Sequence, residues 1–120
     1  MAKFDADTLR ELRGLQEVMI RTERHPNTVV VIWVVVADDE VFVRSVRGSK
    51  GRWYRDLANH ESATLEFAGR RLEVRAVPAS DADSEARASG EYLRKYHDSP
   101  YVQSIVRAEV LPTTLRLQAR

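Results

Sequence analysis

The chain has 120 residues, 43% of them hydrophobic and 31% charged, with a formal net charge of +1, which suits one domain able to bury a core without staples. The near-neutral charge argues against a general field for DNA or an anionic membrane. Cysteine is absent, which excludes disulfides, thiol nucleophiles and thiolate metal sites and accords with a reducing cytoplasm.

Phe4 and Leu9 flank Asp5 as a hydrophobic staple around an N-cap, and Leu9, Leu12 and Leu15 recur at three-residue spacing. This predicts a first short helix that Gly14 ends. The start Met1-Ala2-Lys3-Phe4-Asp5 has no hydrophobic signal core. Residues 17–24 alternate loosely as a first strand, and His25-Pro26-Asn27 supply a turn. Residues 28–36 are almost all β-branched with Trp33 in the middle, predicting one strand buried on both faces. The longest apolar run, residues 29–37, is nine long, against roughly 20 for a membrane-spanning helix, so a soluble, cytoplasmic protein is expected.

Asp38-Asp39-Glu40 turns the chain into a returning strand over residues 41–46, and the two strands are expected to form a central antiparallel hairpin. Gly48-Ser49-Lys50-Gly51 is a loop, and residues 52–59 a short helix. Ala63, Leu65 and Phe67, then Leu72, Val74 and Ala76, alternate on either side of Ala68-Gly69, predicting a second hairpin with one dry face, closed by Pro78. Ser80-Asp81-Ala82-Asp83 opens an acidic, Ala-rich helix capped by one of its aspartates and running to about His97. Asp98-Ser99-Pro100 breaks it, residues 101–107 form a further short helix, and residues 113–117 a last strand after Pro112. Six strands in mostly hairpin order predict a closed or nearly closed antiparallel barrel with flanking helices, as a single domain over residues 1–120. The inter-strand turns are too short for the crossovers of a parallel sheet.

Between Arg44 and Arg55 lie five cationic residues (Arg44, Arg47, Lys50, Arg52, Arg55) and no acid. Ser45 ends a strand, and Gly48-Ser49-Lys50-Gly51 then leads into a helix, so the segment can offer backbone N–H groups, hydroxyls, an ammonium and a guanidinium to one anion. A solvated basic turn is an equally open reading, and the P-loop pattern is absent. Trp53 and Tyr54 either flank a planar ring or a subunit interface, or Trp53 packs in the core beneath an exposed Tyr54. Arg21 and Arg24 are candidates for a second phosphate or a carboxylate, the plainer reading being a surface pair with Glu23. His25, His60 and His97 show neither metal-ligand spacing nor a nucleophile-elbow context. Tyr92 and Tyr96, with Lys95 and Tyr101 nearby, share a helix face that either packs on the barrel or lends a hydroxyl to a pocket.

The stretch Val41-Phe42-Val43-Arg44-Ser45 to Leu57, with Asn59 and Ala63-Thr64-Leu65-Glu66-Phe67, resembles the core of the FMN-binding split barrels. In the pyridoxamine-phosphate oxidases and deazaflavin-dependent reductases a strand ending in Ser or Thr is followed by a Gly-Ser-Lys-type loop and a short helix. The chain is most like the small stand-alone bacterial members of unknown function. The resemblance implies a six-stranded antiparallel split β-barrel, mainly β with flanking helices, that forms a homodimer. It implies FMN or a deazaflavin (F420) in the groove between subunits, with Ser45, Gly48, Ser49, Lys50 and Arg52 at the phosphate and Trp53 and Tyr54 near the seam. Many relatives begin their second strand with a phosphate-clamping arginine; Thr28 stands there in this chain, with Arg24 upstream, and Val31 replaces a strand proline. Losing such a clamp removes about 1.5–3 kcal/mol, so a loosened hold on the cofactor is expected. Two functions follow: a flavin- or deazaflavin-binding oxidoreductase in which the cofactor carries the chemistry, or a non-catalytic module for a small anionic or aromatic ligand. The expected partners are a second copy and a small molecule, with no nucleic acid and no membrane.

Overall fold

The computed structural model describes residues 3–120; Met1 and Ala2, which open the stretch read above for a signal core, lie outside them. Helix α1 (Ala6–Gly14) rests on local signals. The Asp5 carboxylate accepts from the Thr8 N–H at 2.8 Å, and Phe4 and Leu9 are both buried in the main core. Seven strands follow: β1 (Val18–Thr22), β2 (His25–Ile32), β3 (Val34–Ala37), β4 (Glu40–Val43), β5 (Ser62–Phe67), β6 (Arg70–Pro78) and β7 (Leu115–Ala119). They form one antiparallel sheet of order β2-β1-β5-β6-β7-β4-β3. The two edge strands, β2 and β3, are consecutive in the chain and separated only by Trp33. A sheet whose edges are joined through one residue has to curl, and the result is a half-barrel. Helices α2 (Arg52–Asn59), α3 (Ala82–Lys95) and α4 (Val102–Val106) flank it.

The sheet thus has seven strands, not six, because the β-branched run of residues 28–36 is two strands. β1 pairs with the first as far as Val18↔Ile32, and β4 pairs with the second from Val34↔Val43. The run is also not buried throughout. All four residues of β3 are buried, whereas β2 is mostly exposed, with Val31 at 55%. β-branched composition reports extended backbone but not which face is covered. The β3–β4 hairpin lies at one end of the sheet rather than at its centre. His25, Pro26 and Asn27 belong to β2, and the turn falls on Glu23-Arg24. Pro26 is tolerated because an edge strand has an N–H side with no ladder to serve. β4 stops at Val43, three residues short of expectation, and the last strand starts later than expected because Ala108–Thr113, with Pro112 inside, winds into a 3₁₀ turn.

Two cores result. The larger lies inside the curl and includes Leu12, Ile20, Val34, Leu65 and Val74. The smaller lies on the other side of β3 and β4, where Val35 and Phe42 meet Ala88, Tyr92, Tyr96 and Ile105 from α3 and α4. Tyr92 and Tyr96 therefore pack rather than line a ligand pocket, and Tyr96 stacks on Trp33 with ring centroids 4.0 Å apart and planes 3° from parallel.

Lys95, in the last turn of α3, donates to the carbonyls of Leu12 (3.0 Å) and Val34 (2.7 Å) and so ties α3 to α1 and β3. Burial, and then repulsion from Arg94, lower its pKa from the ordinary 10.5 to about 8. Between those values the unfolded chain holds a proton that the folded chain has lost, so this group makes stability rise with pH across the interval. Burial pushes Tyr96 up to about 12, an effect of opposite sign that begins only above about pH 10. The wild type is expected to gain urea midpoint between about pH 7.5 and about pH 9.5, and Lys95→Met to flatten that gain. An equal gain in the variant would place its source elsewhere.

Candidate functional site

After Val43 the chain leaves the sheet, and Arg44 and Ser45 are both buried. Arg44 donates from Nε to Thr114 Oγ1 (2.8 Å), from Nη1 to Ser89 Oγ (2.8 Å) and the Ile105 carbonyl (3.2 Å), and from Nη2 to the Glu85 carbonyl (2.8 Å). Its cation is held by neutral oxygens, and burial lowers its pKa. Ser45 Oγ donates to the Gly48 carbonyl at 2.7 Å, while its N–H donates to Thr113 Oγ1 at 3.1 Å. Gly48 has φ +67, a left-handed conformation that favours glycine. Gly51 then caps α2 with no side-chain acceptor, so the first-turn N–H groups have no capping side chain.

A cleft of about 510 Å³ opens where this loop, the end of β2 and α4 come together. Trp33, Trp53 and Tyr101 supply aromatic lining, Val30, Val31 and Ile32 aliphatic lining, and Arg44, Arg47 and Arg52 cationic lining, with Glu17 as the one lining acid among the described residues. Of the residues the resemblance places at the cofactor, Ser45, Arg52 and Trp53 line it. Gly48, Ser49 and Lys50 form a 3₁₀ turn outside the lining set, with Gly48 buried and the other two exposed. Arg24 and Thr28 are exposed near the β1–β2 turn and do not line it either. Trp53 is buried and Tyr54 half-buried.

The five cations therefore do not all converge. Arg44 reaches the cleft wall with its guanidinium already bound to Glu85, Ser89, Ile105 and Thr114, Lys50 and Arg55 are exposed, and Arg47 lines the cleft with no ion pair among the described residues. Arg52 Nη1 donates to Asp56 Oδ2 at 2.7 Å. That same oxygen accepts from Thr22 Oγ1 and His25 Nδ1, each at 2.7 Å. Burial pushes the Asp56 carboxyl up, but the hydrogen bonds from Thr22 and His25 and the charges of His25 and Arg52 outweigh it and hold the group below its ordinary value. The alternative of a surface pair between Glu23 and Arg21 or Arg24 does not form either: Arg21 pairs with Glu66, and Glu23 with His60. Tyr101, 71% exposed, is the tyrosine at the cleft. The sequence reading missed Asp56 although its spacing of four from Arg52 was a usable signal; nothing local tied it to Thr22 or His25. Among the described residues no group of three or more His, Asp or Glu is placed to hold a metal ion, and no helix is long and apolar enough to cross a membrane.

Residues 8–117 match the family described as "Uncharacterized protein conserved in bacteria (DUF2255)". The chain belongs to this family. No curated protein matches the sequence. Several solved structures share the curled sheet. A conserved hypothetical protein of Mycobacterium tuberculosis, Rv2991, aligns over 98% of this chain and 81% of its own at 13% identity, with a TM-score of 0.68. ChuZ of Campylobacter jejuni aligns over 95% of this chain at 9% identity and a TM-score of 0.71; the chain spans 52% of ChuZ. HutZ, the heme storage protein of Vibrio cholerae, aligns over 96% of this chain and 89% of its own at 13% identity, with a TM-score of 0.59. At such identities the likeness carries the fold, a split-barrel type, and none of these descriptions names a flavin.

The loop's packing has a direct test. A Cβ on Gly51 would sit 2.3 Å from Ser45 Oγ, the next contacts being 3.5 Å away. Gly51→Ala is expected to cost about 1–3 kcal/mol, and Ser45→Ala in the same chain to recover part of it, read as a double-mutant cycle of urea midpoints. Additive costs would show that the two side chains do not collide.

Proposed function

We propose that the chain is a binding module whose cleft holds a small planar anionic ligand, with FMN or a deazaflavin (F420) as the candidate cofactors and a second copy covering its mouth. The observation that carries this reading is the lining itself. Trp33, Trp53 and Tyr101 suit a ring, while Arg47 and Arg52 suit a phosphate or carboxylate, against one acid, Glu17. The phosphate end would be served by Arg47, by the uncapped first turn of α2 and by Arg52. Ser45 has its hydroxyl engaged with the Gly48 carbonyl, which favours the loosened hold inferred from Thr28. Binding without turnover is the form the loosened phosphate hold favours; any redox chemistry would be that of the cofactor.

Heme, the ligand named for HutZ, suits the aromatic walls but not the donor set. Among the described residues no histidine, cysteine or methionine lines the cleft, and heme iron draws its protein ligand chiefly from those types. Tyr101 is the one lining side chain able to take that place. A metal-free ring is the better fit.

The case for a second copy rests on exposed apolar side chains. Val31, Val46 and Tyr101 are exposed at the cleft, and Met19, the cross-strand partner of Val31, and Val29 are exposed on the strands beside it. Surface of that kind is typically covered by a subunit.

Titration with FMN is expected to quench tryptophan fluorescence saturably and raise the melting temperature, and Arg47→Ala with Arg52→Ala to weaken binding about tenfold or more. Absence of both responses to FMN and to F420 would remove this reading. Val31→Asp is expected to turn a dimer into a monomer in size-exclusion chromatography with light scattering; a monomeric wild type would rule out the covered cleft.

A further inference from the structure

We propose that protonation of His25 sets how tightly the cleft holds an anion, with Asp56 as the positioning residue that links His25 to Arg52. This rests on the cleft being an anion site. Asp56 sits one helical turn after Arg52 on α2 and is only 6% exposed. Its Oδ2 alone accepts the hydroxyl of Thr22, the imidazole of His25 and the guanidinium of Arg52, all at 2.7 Å. Thr22 and His25 face each other across β1 and β2, so three elements meet on one oxygen. Only Arg52 of the four also lines the cleft.

The charges of this cluster have two possible sums. With a neutral imidazole donating through Nδ1, Arg52 and Asp56 cancel, and the guanidinium serves its own carboxylate. With an imidazolium, the cluster carries one surplus positive charge, and Asp56 has a second cation that lessens its hold on Arg52. Histidine is the side-chain type whose charge changes between about pH 5 and 8. Asp56 stays ionised through that range because its hydrogen bonds and cationic neighbours hold its pKa low despite burial. The other charged groups around His25 are already engaged or exposed: Glu23 is paired with His60, Arg21 with Glu66, and Arg24 is exposed on the turn. The direction follows, and acidification should tighten anion binding.

The test uses anilinonaphthalene sulfonate, an aromatic anion whose charge is constant over the range, because the phosphate of FMN itself takes up a proton there. In the wild type the dissociation constant is expected to fall about five- to tenfold between about pH 8 and about pH 5.5, the scale of one added charge near a surface anion. His25→Gln is expected to abolish the slope. His25→Lys, which keeps a positive charge, is expected to bind tightly at both pH values. All variants are compared at equal near-ultraviolet circular dichroism. A slope that survives His25→Gln, with binding still dependent on Arg47 and Arg52, overturns this inference and leaves the cleft reading intact. Binding indifferent to Arg47→Ala with Arg52→Ala at both pH values overturns the cleft reading, and this inference with it.

Discussion

The joint at Trp33 constrains the rest of this molecule. One residue separates the strand that closes one edge of the sheet from the strand that closes the other. The ladders of β1 and β4 must therefore approach each other, and no flat arrangement allows it. Strand twist supplies part of the bend; the change of partner at Trp33 supplies the rest. Trp33 cannot continue either ladder, and its ring is fixed by a stack on Tyr96 at 4.0 Å. Tyr96 is fixed in turn by its hydroxyl, which donates to the Gln16 carbonyl at 2.6 Å. The cleft is the space left beside this joint.

Arg44 is the second fixed point. An isolated buried cation is costly unless hydrogen bonds replace its water. Its four hydrogen bonds reach α3, α4 and the residue just before β7, and its guanidinium also lies 5.5 Å from the Tyr92 ring. A lysine has three rotatable donors and no fork, so it would not span these acceptors in fixed directions. This clamp holds the end of β4, and hence the start of the loop that floors the cleft. A residue that reads in the sequence as part of a cationic patch is, in the fold, a structural tie.

What the sequence disclosed divides by range. Helix α1 was legible because Asp5, Phe4 and Leu9 act within a few residues of one another, and the Ala68-Gly69 hairpin because its turn and alternation are local. The break at Trp33 was not legible. Thr28 to Val36 are uniformly β-branched but for Trp33, and which half is covered depends on α3, some 50 residues further on. The site shows the same division. Ser45, Arg52 and Trp53 could be named from the loop pattern, whereas Glu17, Trp33 and Tyr101 reach the cleft only through the curl of the sheet and the placing of α4. Lys50 was named from its loop pattern and Arg24 from its charge, and neither signal says which way a surface residue faces.

That dispersal of charge bears on how selective the cleft is. Five cations within twelve residues suggest a strong, fixed anion site. The fold instead leaves Arg47 as the one arginine of the lining with neither a hydrogen bond nor an ion pair among the described residues, engages Arg44 with neutral oxygens, and gives Arg52 an intramolecular carboxylate. Any ligand anion competes with Asp56 for Arg52, so its binding energy is a difference between two similar hydrogen-bonded pairs rather than the gain of a new one. A site built on such a difference favours ligands that also fill the aromatic walls, because the ring contacts meet no internal competitor. On the proposed reading, shape would decide which molecule is held, and charge only how firmly.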